Sequence, residues 1–435
     1  MADAMLHPEF ETLGAEAVRA DQDRLWPAQW RHVRASAFYR EKLGADAPED
    51  LPLDAIGELP FTEKDELRHS QERAYPFGDY LAAGEDRVVR LHRTSGTTGR
   101  SLQLAYSRAD AALTARIGGR ALFASGLRPG DRVVHCLNYC LWTGGVTDHL
   151  ALEEAGACVV PFGVGNTAKL VETILDLKVT AISCTPSYPA LLEKMLRESG
   201  SAPRVLGLRL GLFGGEAGLD NIAFRDGMEA IWGFGVRNAN YGMSEVISNF
   251  GSQCERTTDL HFHGSDAIFA EIVDADGRSL PIREGATGEL VCTHLAKECQ
   301  PLLRFRTRDV ITVTGTGACA CGRTSWRFRV TGRTDDMFNV RGVNVFPTAV
   351  QKAVAGQTGL STGHFRIRLE GPGPYDRIAI VAEAAHGLAP ADWPGAARAL
   401  EAAVRDLAGA AAVVTLVAPD SLPRTDGKTS LIERT

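Results

Sequence analysis

The chain has 435 residues, of which 44% are hydrophobic and 23% charged, the composition of a globular protein long enough to bury a large core. Its 47 Lys and Arg against 54 Asp and Glu leave a formal net charge of −7, which argues against a nucleic-acid or anionic-membrane binder, whose footprint is basic. No stretch approaches the roughly 18 apolar residues of a membrane span; the acidic first twenty residues lack a signal-peptide core, and 9 Cys without an export signal predict reduced thiols and a cytoplasmic setting.

In chain order, residues 8–75 read as polar helices, with DQDRLWPAQWRHVRASAFYREKL the clearest periodic stretch. From about 88 to 330, short apolar strands alternate with amphipathic helices. VVRLHRTS, DRVVHCLN, CVVPF, TAISCTPS, LRLGLFGGE and RNANYGMSE each run into Gly, Ser, Thr or Asn, while AKLVETILDLK and YPALLEKMLRESG carry helical spacing. Such alternation predicts an α/β architecture with parallel strands, and ligands beyond the strands' carboxyl ends.

After about 333 the pattern becomes α+β. Strands are expected at HFRIRLE, RIAIVAEA and AVVTLVA. A helix over DWPGAARALEAAVRDLAG should bury Ala396, Leu400, Ala403, Val404 and Leu407, with Gly409 as its C-cap. Two units are therefore expected, a large one over 1–333 and a small one over 334–435.

Five segments carry chemistry. Arg93 to Arg100 interleaves hydroxyls with Gly96 and Gly99 after a strand, which suits a loop around a polyphosphate and equally an ordinary Ser/Thr/Gly turn. It is not a Walker A loop, because only two residues separate the glycines and no Gly-Lys-Ser/Thr follows. Asn240 to Glu245 supplies an amide, a ring and a carboxylate; Arg304 to Asp309 sets an acid among bases. Gly332 to Asp336 sits where the composition shifts, and Leu422 to Lys428 lies near the C-terminus. Any one of these could be a turn or an ion-pair cluster.

Together and in this order they resemble the adenylate-forming superfamily of acyl-CoA synthetases, adenylation domains and luciferases. The phenylacetate–CoA ligase branch is the nearer match, through CLNYCLWTGG, SCTPSYPALL, GLFGGE, YGMSEV, ECQPLLRFRTRDV, CACGRT and GRTDDMFNVRGVNVFP. The resemblance runs from about residue 10 to the last residues. It implies a large α/β domain, with parallel and mixed sheets flanked by helices, and a small mobile α+β lid.

It also implies a reaction. A carboxylate attacks the α-phosphate of ATP, and the thiol of coenzyme A then displaces AMP from the acyl-adenylate. Thr94, Ser95, Gly96, Thr97, Thr98 and Gly99 would hold the β- and γ-phosphates, with Arg100 where relatives often have Lys. Glu245 would bind Mg²⁺ as a hard oxygen ligand, and Asp309 would accept from the ribose hydroxyls. Gly215, Glu216, Asn240, Tyr241 and Gly242 would meet the nucleotide, Tyr241 by stacking on adenine and Asn240 through its amide at the purine edge. Lys428 would catalyse adenylation, Asp335 would be the hinge, Arg333 would approach ribose or phosphate, and Gly342 would line the CoA tunnel.

For the acid, the branch's aromatic loop is altered to Leu137-Asn-Tyr-Cys-Leu-Trp142. Leu137, Tyr139, Trp142, Phe213, Gly214 and Met243 should form a flat apolar pocket for an aryl ring, unless the changes merely repack its wall. Trp142 in place of Phe should shorten the pocket toward a benzoate-type acid. His135 and Asn138 are polar candidates for an ortho substituent, so anthranilate or salicylate is expected.

Cys254, His261, Cys319 and Cys321 resemble the branch's structural zinc set, with His261 favoured over His263. Cys136, Cys140, Cys158, Cys184, Cys292 and Cys299 are expected to be buried thiols. The partners implied are an aromatic acid, ATP and coenzyme A, for a monomer or homodimer. An enzyme loading an acyl carrier protein shares the same motifs. A non-catalytic nucleotide-binding relative would have no need of Glu245, Asp309 and Lys428 together.

Overall fold

Among the described residues, four α-helices precede the first strand: α1 (Pro8–Glu11), α2 (Ala15–Arg34), α3 (Ala37–Leu43) and α4 (Lys64–Arg73). Trp26, Trp30 and Val33 recur at helical spacing on α2 and are buried in the main core. The Ser36 side chain accepts from the Tyr39 amide at the start of α3, and a Glu63/Glu66 capping box starts α4. The computed structural model describes residues 5–94, 101–216, 219, 221–341, 343–371, 373–423 and 431–434.

Strands β1 (Arg90–Arg93) and β2 (Gln103–Tyr106) form a hairpin ahead of helix α5 (Arg108–Ala124). Then β3 (Arg132–His135), β4 (Cys158–Pro161), β5 (Ala181–Cys184), β6 (Leu210–Gly214) and β7 (Gly235–Met243) pair in parallel. Helices α6 (Thr143–Glu154), α7 (Thr167–Asp176), α8 (Tyr188–Glu198) and α9 (Ile222–Trp232) connect them. These crossovers are what parallel pairing requires.

Past β7 the helices stop and the sheet turns antiparallel. Strands β8 (Ile247–Gln253), β9 (Leu260–Phe262), β10 (Ile268–Val273), β11 (Ser279–Leu280), β12 (Thr287–His294), β13 (Phe305–Gly315) and β14 (Arg327–Arg333) follow. One sheet of 12 strands results, in the order β11-β10-β12-β13-β14-β9-β8-β7-β6-β5-β3-β4. The α/β alternation expected up to residue 330 thus ends at β7, which pairs in parallel with β6 and antiparallel with β8.

Next comes a short hairpin, β15 (Phe338–Val340) with β16 (Val343–Val345), and helix α10 (Pro347–Ala355). Strands β17 (Ser361–Leu369), β18 (Ile378–Ala384), β19 (Ala412–Val417) and β20 (Ile432–Arg434) form a sheet ordered β19-β18-β17-β20, with helix α11 (Trp393–Ala408) packed on it. Phe365, Ile367, Ile380, Leu400 and Val404 belong to a core of their own.

Gly409 caps α11 in the left-handed conformation, as expected. Leu407 does not join the buried face: it is 58% exposed. The buried residues follow the i+4 ridge Ala396, Leu400, Val404 and Ala408, off which Leu407 falls. No helix among the described residues is long and apolar enough to cross a membrane.

Candidate active site

The carboxyl ends of β6 and β7 and the paired strands β13–β14 carry the motif residues, and a hydrogen bond from Tyr241 to Asp309 joins the two groups. Gly215 follows β6 with φ +81°, a conformation open to glycine and strained for other residues. A Cβ on Gly242 would lie 2.3 Å from the Ser248 carbonyl oxygen, so the crossing of β7 and β8 admits no side chain there.

The β13–β14 pairing sets Asp309 opposite Arg333. Asp309 accepts from the Tyr241 hydroxyl at 2.8 Å through Oδ2 and from Arg333 through Oδ1 at 2.5 Å. Arg333 also donates to both oxygens of Asp335, each at 3.0 Å. Burial opposes the Arg333 charge, but Asp309 and Asp335 outweigh it and raise its pKa above the ordinary value. Burial, and then the Asp309 charge, push the Tyr241 phenol well up, so it stays a donor. The Tyr241 ring packs edge-on against Phe250 and Phe328.

Glu245 is 8% exposed and pairs with Lys64 Nζ at 2.6 Å. Lys64 opens α4 and was not singled out by sequence reasoning; its partner lies 181 positions away, and no local pattern signals it. Thr94 closes the base of its loop, its backbone NH donating to the Leu102 carbonyl and its hydroxyl accepting from the Leu102 NH, both at 3.0 Å. Ser95, Gly96, Thr97, Thr98, Gly99 and Arg100, together with Gly342 and Lys428, lie outside the described residues. Glu216 accepts from the backbone and hydroxyl of Ser187, each at 3.1 Å.

Around the expected acid pocket, the Trp142 indole spans two glycines. A Cβ on Gly144 would lie 2.7 Å from its Cη2, and one on Gly215 4.0 Å from the same atom. Tyr139 is half-buried, and its hydroxyl meets His149 Nδ1 at 2.8 Å. Leu137 is buried, while Met243 is half-buried and packs against the main core. Gly214 lies opposite Asn240 across β6–β7, and the Asn240 amide nitrogen donates to the buried Asp148 rather than standing free.

Two expectations fail here. Phe213 is fully buried, its ring 5.9 Å from that of Phe234, so it belongs to the core instead of lining a pocket. His135 is also fully buried. Its Nε2 donates to the Gly144 and Gly145 carbonyls at 3.1 and 3.0 Å, and Nδ1 meets the Ser183 hydroxyl at 3.1 Å. Burial pulls its pKa down to about 4, and with both nitrogens engaged it cannot meet an ortho substituent. Asn138 Oδ1 accepts from the Cys140 NH at 2.8 Å.

Four donor atoms, from Cys254, His261, Cys319 and Cys321, lie within 4.8 Å of one another. Sγ of Cys254 and Cys319 are 3.8 Å apart, and Cys321 Sγ is 3.7 Å from His261 Nε2. A tetrahedral zinc with Zn–S near 2.3 Å separates its sulfurs by about 3.8 Å, so the cage has the right size. The Ser325 hydroxyl fixes the other His261 nitrogen at 3.1 Å. His263 instead meets Ser252 at 3.0 Å and stays outside the set. Next to the cage, Glu11 and Arg323 form a buried ion pair, and Thr324 donates to the Leu13 carbonyl at 2.6 Å. Of the six cysteines expected to be buried, Cys140 and Cys158 are exposed: one sits in the pocket loop, the other on β4, which is a sheet edge.

This architecture is that of the adenylate-forming enzymes. A family model for AMP-binding enzymes matches residues 32–294, and one for the AMP-binding enzyme C-terminal domain matches 342–433. The phenylacetate–coenzyme A ligase of Thermus thermophilus is 34% identical over 451 residues, covering 97% of each chain. That of Escherichia coli K12 is 32% identical over 429 residues, covering 96% of this chain and 95% of its own. A crystal structure of 2-hydroxyisobutyryl-CoA ligase in the postadenylation state with its acyl-AMP has a TM-score of 0.89 at 29% identity, covering 98% of this chain and 92% of that one. The same ligase in the thioesterification state scores 0.70 at 30% identity, covering 98% and 91%. The chain belongs to the AMP-binding enzyme family, as an AMP-forming acid–CoA ligase homologous to the phenylacetate–CoA ligases.

Proposed function

We propose that the protein is an aryl acid–CoA ligase that converts an aromatic acid to its aryl-AMP and then to the coenzyme A thioester. The observation that carries this reading is the hydrogen-bonded cluster of Tyr241, Asp309 and Arg333, with Glu245 four positions beyond Tyr241 and paired to Lys64. Asp309 keeps lone pairs for the ribose hydroxyls while Tyr241 and Arg333 hold it still. Glu245 would hold Mg²⁺, which when bound neutralises the bridging phosphate oxygens. Lys64, already paired with Glu245, adds a cation on the same side, and Lys428 would bridge the acid's carboxylate and the α-phosphate. Cys254, His261, Cys319 and Cys321 fit a structural zinc, with every tetrahedral position filled by protein.

We read the chain as two units, 1–333 and 334–435, that rotate about Asp335. The separate core of the second unit and the better match to a postadenylation state than to a thioesterification state support this. Asp335→Pro fixes φ at the hinge. It should retain pyrophosphate release with acid and ATP while thioester formation from supplied aryl-AMP is lost; survival of both half-reactions would move the hinge elsewhere.

We take the Trp142 indole, which lies against Gly144 and Gly215, as the end wall of the acid site, favouring a carboxyl borne directly on the ring. Trp142→Phe should raise kcat/KM for phenylacetate relative to benzoate by about 10-fold, the scale of one methylene in an apolar pocket; an unchanged ratio rejects the wall assignment. The whole reading is tested by screening benzoate, phenylacetate, anthranilate and salicylate for AMP release with and without coenzyme A, and weighing the thioester. Release that ignores coenzyme A and needs a carrier protein would replace the acceptor.

A further inference from the structure

The segment between β12 and Arg304 holds a buried cation with no task in the reaction just described. Lys297 is 3% exposed, and no carboxylate among the described residues forms an ion pair with its ammonium. Among those residues Nζ meets two groups: the Val246 carbonyl oxygen at 3.4 Å, and the face of the Tyr106 ring, whose centroid is 4.3 Å away. An ammonium so buried and so sparsely partnered costs stability. A methionine would fill the same space without that cost.

Both partners lie on segments assigned to the phosphates. Val246 directly follows Glu245, in a turn closed by its NH donating to the Met243 carbonyl at 3.1 Å. The Val246 carbonyl also accepts from His294 Nε2 at 3.0 Å, while His294 Nδ1 accepts from the Leu302 NH at 2.9 Å, so this imidazole is held from both ends. Tyr106 is fully buried and ends β2, the strand that leaves the expected phosphate loop. Gln300 grips the same strand, its Oε1 accepting from the Ala105 NH at 2.8 Å and its Nε2 donating to the Gln103 carbonyl at 3.2 Å. Asp110 accepts from the amides of Glu298 at 2.7 Å and Cys299 at 3.0 Å, which pins the segment to α5. One short stretch of chain therefore touches both the backbone behind Glu245 and the strand from the phosphate loop.

We infer that Lys297 is a positioning residue for adenylation: by holding the Val246 carbonyl on one side and the Tyr106 ring on the other, it fixes the spacing between Glu245 and the phosphate loop. This rests on the reading of Glu245 as the magnesium ligand and of residues 94–99 as the phosphate loop. The metal and the β- and γ-phosphates must be met together, so an error in that spacing weakens the hold on both. The thioester half-reaction starts from aryl-AMP, without those phosphates, and has no need of it.

The test is Lys297→Met, which keeps an unbranched side chain and removes the ammonium. It should raise the Mg²⁺ concentration at half-maximal pyrophosphate exchange by about 10-fold or more, the usual cost of losing a group that orients a metal ligand. The Mg²⁺ midpoint for the rise in melting temperature caused by ATP should move by the same factor, a readout independent of turnover. Thioester formation from supplied aryl-AMP should stay within about threefold of wild type. Lys297→Gln, which keeps a donor without the charge, should fall between the two. A merely structural role would lower both half-reactions together and leave both Mg²⁺ midpoints in place; that result, or failure of both variants to fold, overturns the inference. So do unchanged midpoints in a fully active Lys297→Met enzyme. In each of these cases wild-type turnover leaves the ligase reading intact, whereas a wild-type enzyme that releases no AMP with any aromatic acid overturns both.

Discussion

Replacing Lys428 with alanine is expected to slow aryl-adenylate formation by about 10²–10³-fold, the loss seen when one preorganised donor to a developing charge is removed. Thioester formation from supplied aryl-AMP should persist, because that step has no carboxylate left to bridge to a phosphate. The chemistry needs such a cation. The acid and the triphosphate approach each other as anions, and the chain as a whole carries −7, so attraction must come from a few local positive charges. Lys64 cannot substitute fully, since its Nζ is already 2.6 Å from Glu245. Pyrophosphate exchange and a single-turnover thioester assay separate the two steps, and an equal fall in both would reject the assignment.

Removing the zinc proposed for the cysteine cage, by chelation or by Cys321→Ser, should lower the thermal midpoint substantially. A site filled at a thousandfold its dissociation constant contributes about 4 kcal/mol to the folded state. At roughly 2 °C per kcal/mol for a large domain, the midpoint should fall by about 8 °C. The reason lies in what the cage holds. Arg323 and Thr324, two and three positions after Cys321, tie down Glu11 and Leu13. Losing the metal should therefore also expose the segment around residues 7–13 to proteases. Metal analysis and a melting curve on native and chelated protein check this; native protein without zinc, melting at the same temperature as chelated protein, would refute it.

The order of the motifs was legible because the reaction demands particular residue types: an acid for the sugar, another for the magnesium, hydroxyls and glycines for the phosphates. The alternation of strands and helices was legible up to β7 for the same local reasons. Side-chain direction was not. β6 is buried along its whole length, as parallel strands covered on both faces are, so nothing in LGLFG says that Phe213 turns into the core. Cys158 sits in an apolar run that reads as buried, and only the sheet order makes β4 an edge. Lys64 and Lys297 gain their meaning from partners 181 and 51 positions away, contacts that tertiary packing alone creates. The cluster of Cys254, His261, Cys319 and Cys321 was the exception, because the resemblance already implied the four as one set, and packing brings their donor atoms within 4.8 Å of one another.

Arg333 shares its charge among Asp309, which would hold the ribose, Asp335, at the proposed boundary of the two units, and Asp336. A single guanidinium thus belongs to two equilibria. Any rotation that withdraws Asp335 and Asp336 leaves Arg333 to Asp309, and any ligand that draws on Asp309 alters the hold on Asp335. Thermodynamic linkage makes such an effect reciprocal: to whatever extent nucleotide occupancy biases the orientation of the small unit, that orientation must bias nucleotide affinity by the same factor. Release of AMP after the second half-reaction would then be timed by the orientation of the small unit as well as by the chemistry.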